Sequence, residues 1–176
     1  MTARISYRRR ALTALAGAVL ESEGLDAFGL GALARAAGVK TPSLYKHFDG
    51  LADLEGALIS EGFTALASAL EGASGIRAFA ETYRAHALAR PQLYRLMTSR
   101  PLDRSRLEPG AELAAMTKLL DAFGESPADH PRARTLWAWA HGLVILQIDD
   151  RFPSDADLDA SWEVLIATAD GWTRTH

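Results

Sequence analysis

Leu33-Ala34-Arg35-Ala36-Ala37-Gly38-Val39-Lys40-Thr41-Pro42-Ser43-Leu44-Tyr45-Lys46-His47-Phe48 is the stretch from which the fold class of this chain follows. Leu30, Leu33, Ala34 and Ala37 mark one face of a short helix, and Gly38 is the residue best able to close it in a left-handed conformation. A second short helix follows at once. Thr41 suits its N-cap, and Pro42 suits the first helical position, where a missing N–H costs nothing. Leu44 and Phe48, one helical turn apart, give it a buried face. Two helices joined by a tight glycine turn make a helix-turn-helix, whose second helix enters the major groove of DNA and reads base edges with its N-terminal residues. Those residues here are Thr41, Pro42 and Ser43. Tyr45, Lys46 and His47 add a phenol, an ammonium and an imidazole suited to phosphate oxygens, which position a protein without reading sequence. On spacing alone, the stretch also describes an ordinary pair of packed helices with a polar face.

Upstream, Arg8-Arg9-Arg10 and the uncharged run 11–20 imitate a secretory signal. However, Leu12, Leu15, Ala16 and Val19 recur at helical spacing, and Glu21-Ser22-Glu23-Gly24 contains no cleavage pattern, so the run reads as an amphipathic helix ended by Gly24. Downstream of Asp49-Gly50, residues Leu51, Leu54, Leu58, Ala65, Leu66 and Leu70 sketch a long helix. Further helices are expected over 74–89, 91–97 and 112–123, with 101–110 the most loop-like segment. Pro131 opens a strongly apolar helix that runs to Ile148. Apolar around most of its circumference, it demands burial on several sides or between subunits. A last helix is expected from Ser154, where Ser-x-x-Asp to Asp157 resembles a capping box. No period-2 alternation or hairpin signal appears. The expectation is an all-α protein of about nine helices. A three-helix helix-turn-helix domain would occupy residues 1–50, and a second helical domain residues 51–176.

The chain has 176 residues, 48% of them hydrophobic and 23% charged, with no cysteine, which excludes disulfides, thiolate metal sites and a cysteine nucleophile. A net charge of -3 conceals a division. Residues 1–51 carry seven basic and four acidic side chains and the remainder 12 and 18, a basic segment on an acidic body. The uncharged stretch 135–148 is shorter than the ~20 residues a membrane span needs, so the protein is expected in the cytoplasm and off the membrane. Its five histidines show no i, i+4 pairing. Phosphate loop, GxSxG and dinucleotide fingerprint are absent as well. Asp149 and Asp150, adjacent on a helix, would point about 100° apart rather than converge on a substrate. No catalytic residue, metal or cofactor is assigned.

The pattern Gly-Val-x-x-x-x-Leu-Tyr-x-His-Phe over residues 38–48, followed by Leu54 and Leu58, closely resembles the DNA-binding region of TetR-family transcriptional repressors. The resemblance covers roughly residues 5–60. It implies a homodimer whose two N-terminal headpieces bind a palindromic operator, and a larger C-terminal domain that dimerises and holds a small effector. Base reading would then fall on Thr41, Pro42 and Ser43, and phosphate contact on Tyr45 and His47, with Lys40 and Lys46 nearby. The chain departs from the family where Thr and Arg are often found at the start of the second helix and Lys at the start of the fourth. Gly29, Gly31 and Leu51 stand there, and fewer charged contacts mean weaker, less salt-dependent binding. Arg8, Arg9 and Arg10 compensate only if helix rotation turns them toward the backbone. A helical small-molecule-binding or interaction protein with a weakened DNA-binding headpiece is the alternative.

Trp137-Ala138-Trp139-Ala140-His141-Gly142-Leu143 is similar to the tryptophan, histidine, glycine signature of one subgroup of these regulators. A lone imidazole in an apolar helix is by default a hydrogen-bonded core histidine, and large aromatics fill cores and interfaces more often than ligand sites. Effector cavities are mostly apolar with a few polar anchors. Candidate walls are Phe79, Tyr83, Leu96, Met97, Met116, Leu120, Trp137 and His141, for an apolar or amphipathic effector. The last two helices hold more apolar surface than one subunit needs to bury. In the family their equivalents pair with their copies as a four-helix bundle, which would use Leu143, Val144, Ile148, Trp162, Leu165, Ile166 and Ala169. Two-fold symmetry then spaces the headpieces by about 34–36 Å, one turn of DNA, or a multiple.

Overall fold

The computed structural model describes residues 2–122 and 130–173. In chain order the α-helices are α1 (Thr2–Glu23), α2 (Leu30–Ala36), α3 (Leu51–Ala69), α4 (Gly75–Ala89), α5 (Pro91–Thr98), α6 (Ala111–Asp121), α7 (His130–Ile148) and α8 (Leu158–Thr173). Two 3₁₀ segments, η1 (Thr41–Lys46) and η2 (Arg104–Arg106), complete the set, and no strand occurs among the described residues. The all-α architecture is therefore the expected one. The expected helix end at Phe123 lies outside the described residues. No described helix is long and apolar enough to cross a membrane.

The chain forms two compact units, Met1–Phe63 with Arg90–Glu112, and Thr64–Ala89 with Leu113–His176. Whereas periodicity places the first boundary at residue 50, the first unit runs on through the N-terminal part of α3 and takes in α5 and the loop after it. Its core joins Ala16, Val19 and Leu20 of α1 to Leu33 of α2, Leu44, Phe48, Leu54 and Leu58, and to Leu93 and Leu96 of α5. Burial of apolar area holds these elements together at roughly 25 cal/mol per Å². Helix α5 has no side-chain cap of its own at Arg90. Instead the Glu21 carboxylate accepts the amides of Gln92 at 3.1 Å and Leu93 at 2.9 Å, two of the donors that a helix start leaves unpaired. A negative charge there also complements the helix dipole. Glu21→Ala is expected to lower stability by about 1–2 kcal/mol, as loss of an N-cap does. Urea unfolding followed by circular dichroism checks this.

The second unit packs α4, α7 and α8 against one another. Arg84 of α4 is one of its polar ties, beside the Arg77–Glu163 pair. The Arg84 guanidinium donates to Asp159 of α8 at 2.6 Å and to Gln147 of α7 at 3.2 Å, and lies 5.4 Å from the centre of the Trp162 ring. Along α7 the side chains buried in the subunit are Ala133, Leu136, Ala140 and Val144, a single stripe. The rest of its apolar surface stays partly or wholly uncovered, with Trp137 40% and Leu146 42% exposed. Helix α8 begins at Leu158, not at Ser154. Its cap is Asp157, whose carboxylate accepts the Ala160 amide at 2.9 Å. A side-chain oxygen at the N-cap reaches the amide three residues on, and Asp157 stands at that distance.

Candidate nucleic-acid interface

Helix α2 ends in a Schellman motif. Gly38, with φ +64°, lets its own amide bond to the Arg35 carbonyl at 3.2 Å and the Val39 amide to the Ala34 carbonyl at 3.0 Å. Any other residue at Gly38 would carry the strain of a left-handed backbone. The chain then extends through Lys40 (φ -78°, ψ 141°), which occupies the N-cap of η1 without a side-chain hydrogen bond. Thr41, expected as the cap, is instead the first residue of the segment, and Pro42 the second. The segment is 3₁₀ rather than α, with the Ser43 amide on the Lys40 carbonyl and the His47 amide on the Leu44 carbonyl, both at 2.8 Å. So short a helix offers few i→i+4 pairs, and i→i+3 bonds satisfy its end groups.

Leu44 and Phe48 are each only 1% exposed and fasten η1 to the core. Between and before them the sequence-predicted DNA-facing residues come together on one short ridge. Lys40, Pro42, Ser43, Tyr45 and Lys46 are exposed, and Thr41 and His47 are half-buried. Tyr45 is 57% exposed, which leaves its phenol hydroxyl open to a partner outside the subunit. The His47 Nδ1 is buried without a hydrogen-bond partner, so the ring's hydrogen bonding is left to Nε2. Val39, 42% exposed beside Lys40, belongs to the same surface and was not among the predicted residues. Val39 is part of the Gly-Val pattern that carries the resemblance, but an apolar β-branched side chain gives no sign of a contact role by its type. At the start of α2, a Cβ added to Gly29 or Gly31 would meet no atom within 4 Å, so that shoulder of the surface is bare.

The three successive arginines separate by rotation. Arg8 and Arg10 are exposed, whereas Arg9 turns inward. Its Nη1 and Nη2 bond both carboxylate oxygens of Asp53 at 2.9 and 2.8 Å, Nη1 also donates to the His47 carbonyl, and the guanidinium lies 4.7 Å from the centre of the Phe48 ring. Asp53 also accepts the Asp49 amide at 2.9 Å. Hydrogen bonding to Arg9 holds the Asp53 carboxyl below the usual carboxylate range and raises the Arg9 guanidinium further, so the pair stays ionised at neutral pH. Arg9 is thus not available as a phosphate contact. The outer pair Arg35 and Glu23, at 3.1 Å and largely solvent-exposed, contributes little.

The residues proposed from the sequence for an effector site divide between the units. Leu96 is buried in the core of the first unit and Met97 packs against it. Phe79 and Tyr83 are buried in α4 with their rings stacked at 5.6 Å. Trp137 and His141 lie on α7 with ring centres 6.3 Å apart, and Met116 and Leu120 are half-buried on α6. Burial lowers the pKa of the His141 imidazole, which favours its neutral form. A cleft of about 90 Å³ opens in the first unit, lined by Gly56, Ile59, Leu96, Met97 and Leu102 and rimmed by Arg100 and Glu55. It is well below the ~300 Å³ at which small-molecule pockets begin. Among the residues proposed for subunit contact, Val144, Trp162, Leu165, Ile166 and Ala169 are buried in the subunit's own core, while Leu143 and Ile148 are half-buried. The large apolar side chains that α7 and α8 leave exposed are Trp137, Leu146 and Val164, the last 58% exposed.

Residues 12–58 match the family model described as bacterial regulatory proteins, tetR family, and residues 76–169 match the tetracyclin repressor-like C-terminal domain. The chain is 27% identical to an uncharacterized HTH-type transcriptional regulator, YobS, of Bacillus subtilis, over 96% of this chain and 93% of that protein. It is 30% identical to another, Rv0681 of Mycobacterium tuberculosis, over 89% of this chain and 78% of that protein. A solved structure of a protein with unknown function from Rhodococcus sp. RHA1 superposes with a TM-score of 0.72 at 32% identity, covering 94% of this chain and 93% of that one.

Proposed function

Because the chain belongs to the TetR family of bacterial regulatory proteins, whose members are transcriptional regulators and not enzymes, we propose that it is a ligand-responsive repressor binding a palindromic operator as a homodimer. The observation that carries the DNA-binding part is the ridge of residues 40–47, polar and exposed outside and anchored inside by Leu44 and Phe48. Within the headpiece of residues 1–50, Thr41, Pro42 and Ser43 read base edges, and Lys40, Tyr45, Lys46 and His47 contact phosphates. The uncovered apolar side chains on α7 and α8, Trp137, Leu146 and Val164, support a second copy as their cover, with Leu143 and Ile148 at its edge. The effector site is assigned to the second unit, among Phe79, Tyr83, Met116, Leu120, Trp137 and His141. An apolar or amphipathic molecule bound there releases DNA if it prefers a dimer whose headpieces are wrongly spaced, since only differential affinity shifts the equilibrium. Such a regulator works in the cytoplasm, where the DNA is.

Gly29, Gly31 and Leu51 favour the second reading, a ligand-binding or interaction protein with a weakened headpiece. One experiment separates the two. The full chain is offered a random duplex library at two salt concentrations and the retained DNA is sequenced. An enriched palindrome is the expected result, and unselective retention lost at the higher salt would favour the second reading. On the selected operator, Tyr45→Phe is expected to weaken binding alike on all sequences, whereas Ser43→Ala shifts preference at particular base pairs by about 1–3 kcal/mol. Equal, sequence-independent losses from both would refute the assigned roles.

A further inference from the structure

We propose that Arg9 and Asp53 are positioning residues for DNA binding, which hold the His47 end of η1 in its docking conformation and do not themselves touch the nucleic acid. This rests on the DNA-binding reading above and adds to it residues outside the ridge.

The connection from η1 to α3 runs from His47 to Gly50 and carries the phosphate-facing end of the ridge. Its own backbone bonds satisfy the His47 and Phe48 amides, both on the Leu44 carbonyl, but do not include the His47 carbonyl. That carbonyl is met by Arg9, from 38 residues earlier in the chain. The guanidinium is suited to this because its planar fork offers five donors, enough to take a carboxylate bidentately and a carbonyl as well. Its central carbon lies over the ring of Phe48, the side chain that anchors the connection from inside. The carboxylate that Arg9 grips is in the first turn of α3 and reaches back to the Asp49 amide. Thus α1, the end of η1, the 49–50 turn and the start of α3 are joined through one ion pair. A lysine has neither the fork nor the stacking face to join all four. Arg8 and Arg10, about 100° to either side on α1, are exposed with no ion pair among the described residues. They, and not Arg9, are the cations of this segment open to phosphate.

Positioning and direct contact predict opposite signs. If Arg9 touched a phosphate, removing the acidic charge of Asp53 would leave binding unchanged or tighten it, and Arg9→Ala would flatten the salt dependence by about 0.9 in log-log slope. If Arg9 and Asp53 position η1, both Arg9→Ala and the near-isosteric Asp53→Asn weaken operator binding at every salt concentration, by about tenfold or more, with the slope unchanged. Arg9→Lys does not restore it. The full-length protein is used with the operator recovered from library selection, well below its melting transition. Glu21→Ala serves as a comparison that destabilises the same unit elsewhere. It is expected to leave affinity unchanged, which separates loss of position from loss of stability. Unchanged or tighter binding by Asp53→Asn, or equal losses in Asp53→Asn and Glu21→Ala, would overturn the proposal while leaving the DNA-binding reading intact. Absence of any selective binding by the unaltered protein would overturn that reading and the proposal with it.

Discussion

Phe48→Ala is expected to cost about 3–5 kcal/mol of stability and to abolish operator binding at physiological temperature. Phe48 is the largest of the fully buried side chains and packs with Leu20, Leu33, Leu44, Leu54 and Leu58 in the core of the first unit. Removing its ring leaves a cavity that three helices would have to close by moving, and cores relax only in part. The ring also supports the Arg9 guanidinium, so the same change loosens the tie between η1 and α3. Against a total of roughly 5–15 kcal/mol for a native domain, such a loss leaves the headpiece marginal. Urea titration followed by far-ultraviolet circular dichroism measures it. Tryptophan fluorescence serves as a second probe, because Trp137, Trp139, Trp162 and Trp172 all lie in the second unit. A large shift by circular dichroism with a small one by fluorescence would show that the units unfold separately. A change below about 1 kcal/mol by both would contradict the core position of Phe48.

The headpiece is legible in the sequence because its determinants are local. A glycine that permits the left-handed turn, a proline just inside the next segment and two large apolar residues four apart lie within eleven positions, and each acts through its immediate neighbours. What is not legible is non-local or rotational. Nothing in the sequence around Glu21 marks it as a helix cap, and only the structure brings it to the amide of Leu93, 72 positions away. Arg8-Arg9-Arg10 leaves open which members face outward, and the rotation of about 100° per residue that makes the middle one an internal tie is seen only in the structure. Ser154 and Asp157 are both acceptable caps, and the difference lies in which oxygen reaches an amide. The stripes of α7 and α8 announce that apolar surface must be covered but not by what. Trp162 and Leu165 are used within the subunit, and Trp137 and Val164 are left outside. At positions 40–47 the residue types themselves suggest DNA contact, and these positions share one ridge because they are consecutive in the chain.

Gly56→Ala is expected to destabilise by about 1–3 kcal/mol even though it places the best helix former inside a helix. On propensity alone the change should gain about 1 kcal/mol. In α3, however, a Cβ at Gly56 would stand 2.6 Å from the Arg106 carbonyl oxygen and 2.8 Å from the Arg106 Cβ. The obstacle is backbone, not the far end of a flexible side chain, and it is held on both sides. The Arg106 amide is bonded to the Asp103 carbonyl at 3.2 Å, and two residues further on the Glu108 amide is bonded to the buried Ser60 hydroxyl at 2.9 Å. That hydroxyl in turn donates to the Gly56 carbonyl at 2.8 Å, so the segment after η2 is fastened to the very turn of α3 that would have to move away from it. Gly31→Ala is the matched comparison, since a Cβ there meets no atom within 4 Å. It is expected to stabilise by about 0.4–1 kcal/mol, mainly by restricting the unfolded chain. The two changes add the same methyl group to the same residue type, and parallel urea titrations should move the midpoint in opposite directions. If Gly56→Ala moved it upward with Gly31→Ala, the loop after α5 would not lie against α3, and the glycine would be an ordinary propensity cost.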